Sequence, residues 1–181
     1  MAVRDLVLEM RDVEVDDREK IPYLFPSLFY WRPGKVTEVY RVKPTLRRLA
    51  FADMRLASAP RAGVIERKRS LAEVFNNVQP GGAVANRRCH NFLRELDRMA
   101  ECSHPALLLD FTWDELWVPA SGGYSPFAIL DRLLHLALPR RISIIGPQDA
   151  RTVKKRQAAG DFILRWLLAA RDASSASIGV A

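Results

Sequence analysis

Along the chain the spacing of apolar residues changes from a repeat of two to a repeat of three to four, which predicts strands first and then helices alternating with strands. Val13-Glu14-Val15-Asp16 alternates as a strand and runs into the charge cluster Asp16-Asp17-Arg18-Glu19, so this strand should carry charged groups at its C-terminal end. Pro22, Pro26, Pro33 and Gly34 mark turns. Residues 36–42 alternate as a second strand and 49–56 read as a third. The turn-rich stretch 57–63 then leads straight into Val64-Ile65-Glu66, a hairpin that sets Asp53 and Glu66 on neighbouring strands. Ser70 with Glu73 forms a capping box that opens a helix toward Val78, and Pro80-Gly81-Gly82 interrupts the chain. Over 84–101, Cys89, Phe92, Leu93, Leu96, Met99 and Ala100 recur at helical spacing while Arg87, Arg94 and Arg98 fall on another face. Residues 106–111 are almost continuously apolar, as in a strand covered on both faces. Ser125-Pro126 opens a helix through 138, residues 142–146 form a last strand, and 149–171 form a long helix before a tail, Ser174 to Ser177, that frays. The class is α/β, a mixed central β-sheet flanked by α-helices, with 1–172 as one domain and 173–181 as a flexible tail.

Composition narrows the setting. With 181 residues, 49% hydrophobic and 27% charged, the chain suits one globular domain with its own core. It holds no apolar run of the roughly 18 residues that a membrane span needs, and Met1-Ala2-Val3-Arg4-Asp5 lacks a signal-peptide layout, so a cytoplasmic protein is expected. Of its 28 basic residues 22 are arginine, and the net charge is +7, which favours a polyanionic partner, DNA or RNA, with surplus charge that only aids solubility as the other reading. Cys89-His90 and Cys102-x-His104 invite a zinc reading, but adjacent helical residues point about 100° apart and do not converge on one ion. No Gly-x-x-x-x-Gly-Lys run is present, so no nucleotide cofactor is expected.

The chemistry concentrates at the hairpin. A period of two puts Glu66 and Lys68 on one side of their strand, and Asp53 projects from the strand beside it. Two carboxylates and one ammonium in a small volume suit phosphodiester hydrolysis, because carboxylates hold Mg²⁺ while leaving it some of its waters. Taken alone, a Glu-x-Lys triplet is far more often a solvated charge pair. Trp113 and Trp117 read as packing aromatics more readily than as base-stacking ones, and His135 as an ordinary helix histidine. Phe162, Trp166 and Leu167 read as core, with a dimer surface as the other reading. The pairs Arg47-Arg48, Arg87-Arg88 and Arg140-Arg141 are either a DNA track or solvated surface.

Taken in order, these stretches resemble those of XPF-type structure-specific endonucleases. Val15-Asp16-Asp17-Arg18-Glu19 is similar to that family's Val-Asp-x-Arg-Glu element, Ala52-Asp53 stands where it has Gly-Asp, and Val64-Ile65-Glu66-Arg67-Lys68 resembles its Val-x-Glu-Arg-Lys signature. Residues 87–99 resemble its Arg-Phe-x-Arg-Glu-Leu-x-Arg-Leu helix. The resemblance spans about residues 11–170 and is closest to short stand-alone bacterial and phage versions. It implies a restriction-endonuclease-like core that cuts flap or branched DNA at duplex/single-strand junctions with Mg²⁺ or Mn²⁺, as a possible homodimer or heterodimer. By position it implies Asp53, Glu66 and Asp16 as metal ligands, Lys68 as the water-positioning group and Glu19 as a supporting acid. Arg18, Arg67, Arg69, Arg87 and Arg88 would face DNA, with Arg67 also bracing the carboxylates. Two positions depart from the pattern. Ala52 replaces the glycine, and Ala72 stands where the signature has an aspartate, so that Glu73 either restores the acid or serves only the helix cap. The alternative function is a catalytically weak or inactive DNA-binding module of the same fold.

Overall fold

A computed structural model describes residues 8–20, 22–32, 37–79, 82–117, 125–146 and 148–178. Their strands are β1 (Leu8–Asp16), β2 (Leu28–Trp31), β3 (Glu38–Arg47), β4 (Met54–Leu56), β5 (Gly63–Lys68), β6 (His104–Leu109) and β7 (Ser143–Ile145). The helices are α1 (Leu71–Val78), α2 (Gly82–Met99), α3 (Pro126–Ala137) and α4 (Val153–Ile178). All seven strands form one sheet in the order β2-β3-β1-β4-β5-β6-β7. β1 pairs with β3, β5 with β6 and β6 with β7 in parallel, whereas β4 is antiparallel to both β1 and β5, and β2 to β3. The expected α/β class with a mixed sheet between helices is the class observed.

Each face of the sheet has its own core. Val13, Val15, Tyr40, Val42, Ile65, Ala106 and Leu108 pack with Ile163, Leu164, Leu167 and Leu168 of α4. Val64, Leu107 and Leu109 face the other way and meet Leu71 and Val74 of α1, Phe92, Leu96 and Met99 of α2, and Ile129 and Leu133 of α3. Alternation along β5 and β6 creates this division, since adjacent residues point to opposite faces. Gly63 lets α4 approach closely: a Cβ there would lie 2.7 Å from the Ala170 Cβ.

Several boundaries differ from the sequence reading. The third predicted strand shrinks to β4, because residues 49–52 leave the ladder to form the loop that presents Asp53. α4 continues to Ile178, so 173–178 are helical rather than a tail, with Ser174 and Ser175 hydroxyls donating to the carbonyls four residues back. Trp113 and Trp117 are not packed as expected. They lie on a 3-10 turn, Trp113–Trp117, that buries only Leu116, and they are 63% and 76% exposed. In α4, Leu167 is core as read, Trp166 is half-buried and Phe162 is largely at the surface. β2 carried too short an apolar alternation to be read at all. No described helix is long and apolar enough to cross a membrane.

Candidate active site

Strand direction brings the predicted acids to one edge. β1 and β5 both run antiparallel to β4 and therefore parallel to each other, so Asp16 and Lys68 end their strands at the same edge where Asp53 precedes β4. Asp53 completes the ladder there: its N–H donates to the Ile65 carbonyl at 2.9 Å, and its own carbonyl accepts from the Asp16 N–H at 2.8 Å. The preceding residue turns the chain into that position. Ala52 has φ +59° and is 1% exposed, which explains why a glycine suits this place: the left-handed region strains any residue with a Cβ.

The Asp53 carboxylate accepts the Arg67 N–H at Oδ2, 2.7 Å away. Burial pushes its pKa up to about 7, with nearby Glu19 and Glu95 adding repulsion and the Arg67 N–H and Lys68 opposing. Glu66 is 6% exposed, and burial raises it well above the usual carboxylate range, with Lys68 opposing and Asp53 and Glu95 adding to the rise. Lys68 donates to Glu66 Oε1 at 2.6 Å, lies 3.6 Å from Glu73 Oε1, and sits 4.9 Å from the centre of the Phe92 ring. Burial works against its charge, but Glu66, Glu73 and Glu95 prevail and raise its pKa. Glu73 thus does two things. Its Oε2 accepts from the Arg69 N–H at 2.9 Å, one residue before the Ser70 cap that the capping box would engage, while Oε1 turns to Lys68.

Glu95 had no role in the sequence reading. It stands one turn beyond Phe92, which contacts Lys68, and three residues before Arg98, which donates to the Ala50 carbonyl at 3.3 Å. Helical spacing therefore turns it toward the gap between Lys68 and the loop of Asp53. The signal was available: Glu95 lies on the boundary between the apolar and basic faces of α2.

Two expected site residues are employed elsewhere. Asp16 is 0% exposed, and each of its oxygens accepts two N–H groups: Oδ1 from the Arg18 backbone and Nε, Oδ2 from Arg18 Nη2 and the Leu49 backbone. Burial would raise its pKa, but these donors hold it down at about 2. With its lone pairs filled, Asp16 has no acceptor left for a metal ion. Arg67 points to the opposite face from Glu66 and Lys68. Its guanidinium, 3% exposed, binds Asp110, reaches Glu19 at 2.9 Å and stacks 4.1 Å from the centre of the Tyr23 ring. Asp110 in turn accepts the Ala150 N–H at 2.6 Å. Arg67 braces the sheet edge. Arg18 is more than half exposed on Asp16, and Arg69, Arg87 and Arg88 are exposed.

Asp53, Glu66, Lys68 and Glu73 are thus brought together, with Glu95 and Glu19 beside them. Among the described residues no group of three or more His, Cys, Asp and Glu side chains converges into a cage for a metal ion. Asp53 Oδ1 and Glu66 Oε2 take no hydrogen bond among those residues. Two carboxylates with free oxygens, both raised in pKa by burial and by neighbouring acids, match the donor set of Mg²⁺, which takes one or two carboxylates and keeps several waters. Of the residues weighed for zinc, Cys89 and Cys102 are free thiols, and His104 packs edge-on against Trp166 on the α4 side, away from Cys102 in the other core. His135 shares its Nδ1 with the Asp131 carbonyl, 2.7 Å away, in an ordinary helical contact.

No family model matches the chain, and no curated protein matches it. Among solved structures, XPF from Aeropyrum pernix aligns with it at 16% identity and a TM-score of 0.47, over 89% of this chain and 69% of that one.

Proposed function

We propose that this chain is a metal-dependent DNA endonuclease that hydrolyses phosphodiester bonds near duplex/single-strand junctions, as in flap or branched DNA. The observation that carries the reading is the pair Asp53 and Glu66: a half-buried carboxylate just before β4 and a buried one on β5, both raised in pKa chiefly by burial, with Asp53 adding to the rise at Glu66, and each with an unengaged oxygen. They would hold Mg²⁺ or Mn²⁺, which when bound supplies charge neutralisation at the phosphate and a more acidic water. Lys68, kept cationic by Glu66 and Glu73, holds a proton donor beside the reacting phosphate and stabilises charge that builds there. Glu73 fixes Lys68 from the helix side, which gives the acid after the signature a positioning role. Arg18 and Arg48, both largely exposed, and Arg98, on the Ala50 carbonyl, lie around the loop of Asp53 and give an acidic centre a basic rim.

The test incubates the purified protein with labelled flap, splayed-arm and plain duplex DNA in Mg²⁺, Mn²⁺ or EDTA, beside Asp53→Ala and Glu66→Ala. The expected result is metal-dependent cutting near the junction by the parent chain alone. Mn²⁺ should also raise the unfolding temperature of the parent and not of either variant. Tight binding without cutting in any metal would replace this reading with that of an inactive DNA-binding module.

A further inference from the structure

Among the described residues, helices α1, α2 and α3 cover the β5-β6-β7 part of their side of the sheet, and no residue of β1, β2 or β3 enters the core they build. On that side of β1, β2 and β3 the described side chains are those that alternate away from α4: Leu28 and Tyr30 on β2, Arg41, Lys43 and Arg47 on β3 beyond a buried Val39, and Asp12, Glu14 and a buried Asp16 on β1. Leu28 and Tyr30 are 47% and 59% exposed. Arg41 and Lys43 are exposed and make no ion pair among the described residues. Glu14 is buried between Arg47 and Arg55, at 2.7 Å from each, so its charge is already neutralised. Arg41, Lys43 and Arg47, with Arg55 on β4, stand here with Asp12, Glu14 and Asp16, of which Glu14 and Asp16 are already paired with arginines.

The order of these groups is what gives the face a use. β3 runs toward the edge that carries Asp53 and Glu66, because it is parallel to β1. Its outward side chains therefore form a row: Val39 with Tyr30 opposite it at the far end, then Arg41 with Leu28 opposite it, then Lys43, and Arg47 next to the candidate site. Alternate residues of a strand are ~6.7 Å apart, and Arg41 to Arg47 covers about 20 Å. Such a repeat is comparable to the phosphate repeat of an unstacked single strand. An exposed tyrosine and leucine beside cations on a flat sheet supply faces for unpaired bases, which a duplex keeps inside.

We infer that the exposed row of this face is a track for a single-stranded nucleic-acid arm, gripped at its phosphates by Arg41, Lys43 and Arg47, stacked on Tyr30, and led to the Asp53–Glu66 edge. The track deepens the nuclease reading by naming the arm that enters the site, and it rests on that reading for its purpose. Its test is made without cleavage, so the two fail separately. Binding of fluorescein-labelled oligo-dT and of a blunt hairpin duplex is measured by anisotropy in EDTA across a salt series, for the full chain, Arg41→Ser/Lys43→Ser, and Tyr30→Ser. All three positions are exposed, and matching thermal unfolding confirms that the variants fold.

For the double variant the slope of log affinity against log salt on oligo-dT should fall by about 1.4, close to 0.7 for each phosphate that no longer meets a cation. Tyr30→Ser should weaken oligo-dT binding about fivefold or more at unchanged slope. Binding of the hairpin should change little in either variant. An unchanged oligo-dT slope, or an equal loss on oligo-dT and hairpin, overturns the track. Cleavage that fails while these results hold leaves the track and removes the nuclease.

Discussion

Between about pH 4 and pH 7 the folded chain keeps a proton on Asp53 that the unfolded chain gives up, because its carboxyl is raised from 3.8 to about 7. The folded state binds the extra proton, so without metal this group's contribution to stability falls as pH rises through that window and stays low above it. Asp53→Asn keeps an acceptor for the Arg67 N–H and has no charge to desolvate. In EDTA the variant should therefore be more stable than the parent by about 2 kcal/mol at pH 8, with the gain vanishing near pH 4, as read from urea unfolding at the two pH values. An equal difference at both would remove the proton from the explanation. Asp16 shows the opposite arrangement at the same sheet edge, its four N–H donors holding it ionised. Sequence told these two acids apart poorly. Both follow a strand pattern and both fit the motif, but the decisive fact is where Arg18 folds, and a two-residue return to Asp16 leaves no trace in spacing. Glu66 and Lys68 were legible because strand alternation alone fixes their common side. By the same alternation Arg67 belonged on the other face, and only its motif neighbours suggested DNA.

At the scale of elements, α4 holds the sheet edge in register through close approaches that side-chain size controls. Gly160 lies against the chain at Leu24, whose carbonyl oxygen would be 2.3 Å from a Cβ placed there. Backbone cannot yield as a side-chain tip does. Gly160→Ala should lower stability by about 1–3 kcal/mol despite the better helix propensity of alanine. A urea midpoint equal to or above the parent's would show that the loop at Leu24 moves freely. Helix and strand cores were legible from periodicity, as the buried positions of α2 and β6 illustrate. Ends were not: β4 is cut short by the demands of Ala52 and Asp53, and α4 is prolonged by serines whose hydroxyls bond back into the helix. Trp113 and Trp117 misled because large aromatics favour burial, whereas the turn after β6 had only one inward position to offer, and Leu116 fills it.

Over the whole molecule, one sheet separates two cores, and neighbouring residues of β6 serve different ones. Leu107 belongs to the core under α1, α2 and α3, and Leu108 to the core under α4, both at 0% exposure. The sheet is shared, so loss of either core removes a wall of the other. Leu107→Ala and Leu108→Ala should each cost about 2–5 kcal/mol and should each shift one common calorimetric transition. A separate melting step in either variant would show that the faces unfold independently. This two-sided build also explains why the exposed row on the sheet went unread. Arg41, Lys43 and Tyr30 look like ordinary surface in sequence, and only the strand order places them in line with the acids.

The step from Ala72 to Glu73 turns the chain by about 100° around the axis of α1. Ala72 faces solvent, and the next residue reaches Lys68. Around that axis it is position 73, and not 72, that swings back over the end of β5. Lys68 and Glu73 form one unit across the end of β5, whereas Ala72, however near in the sequence, takes no part in it.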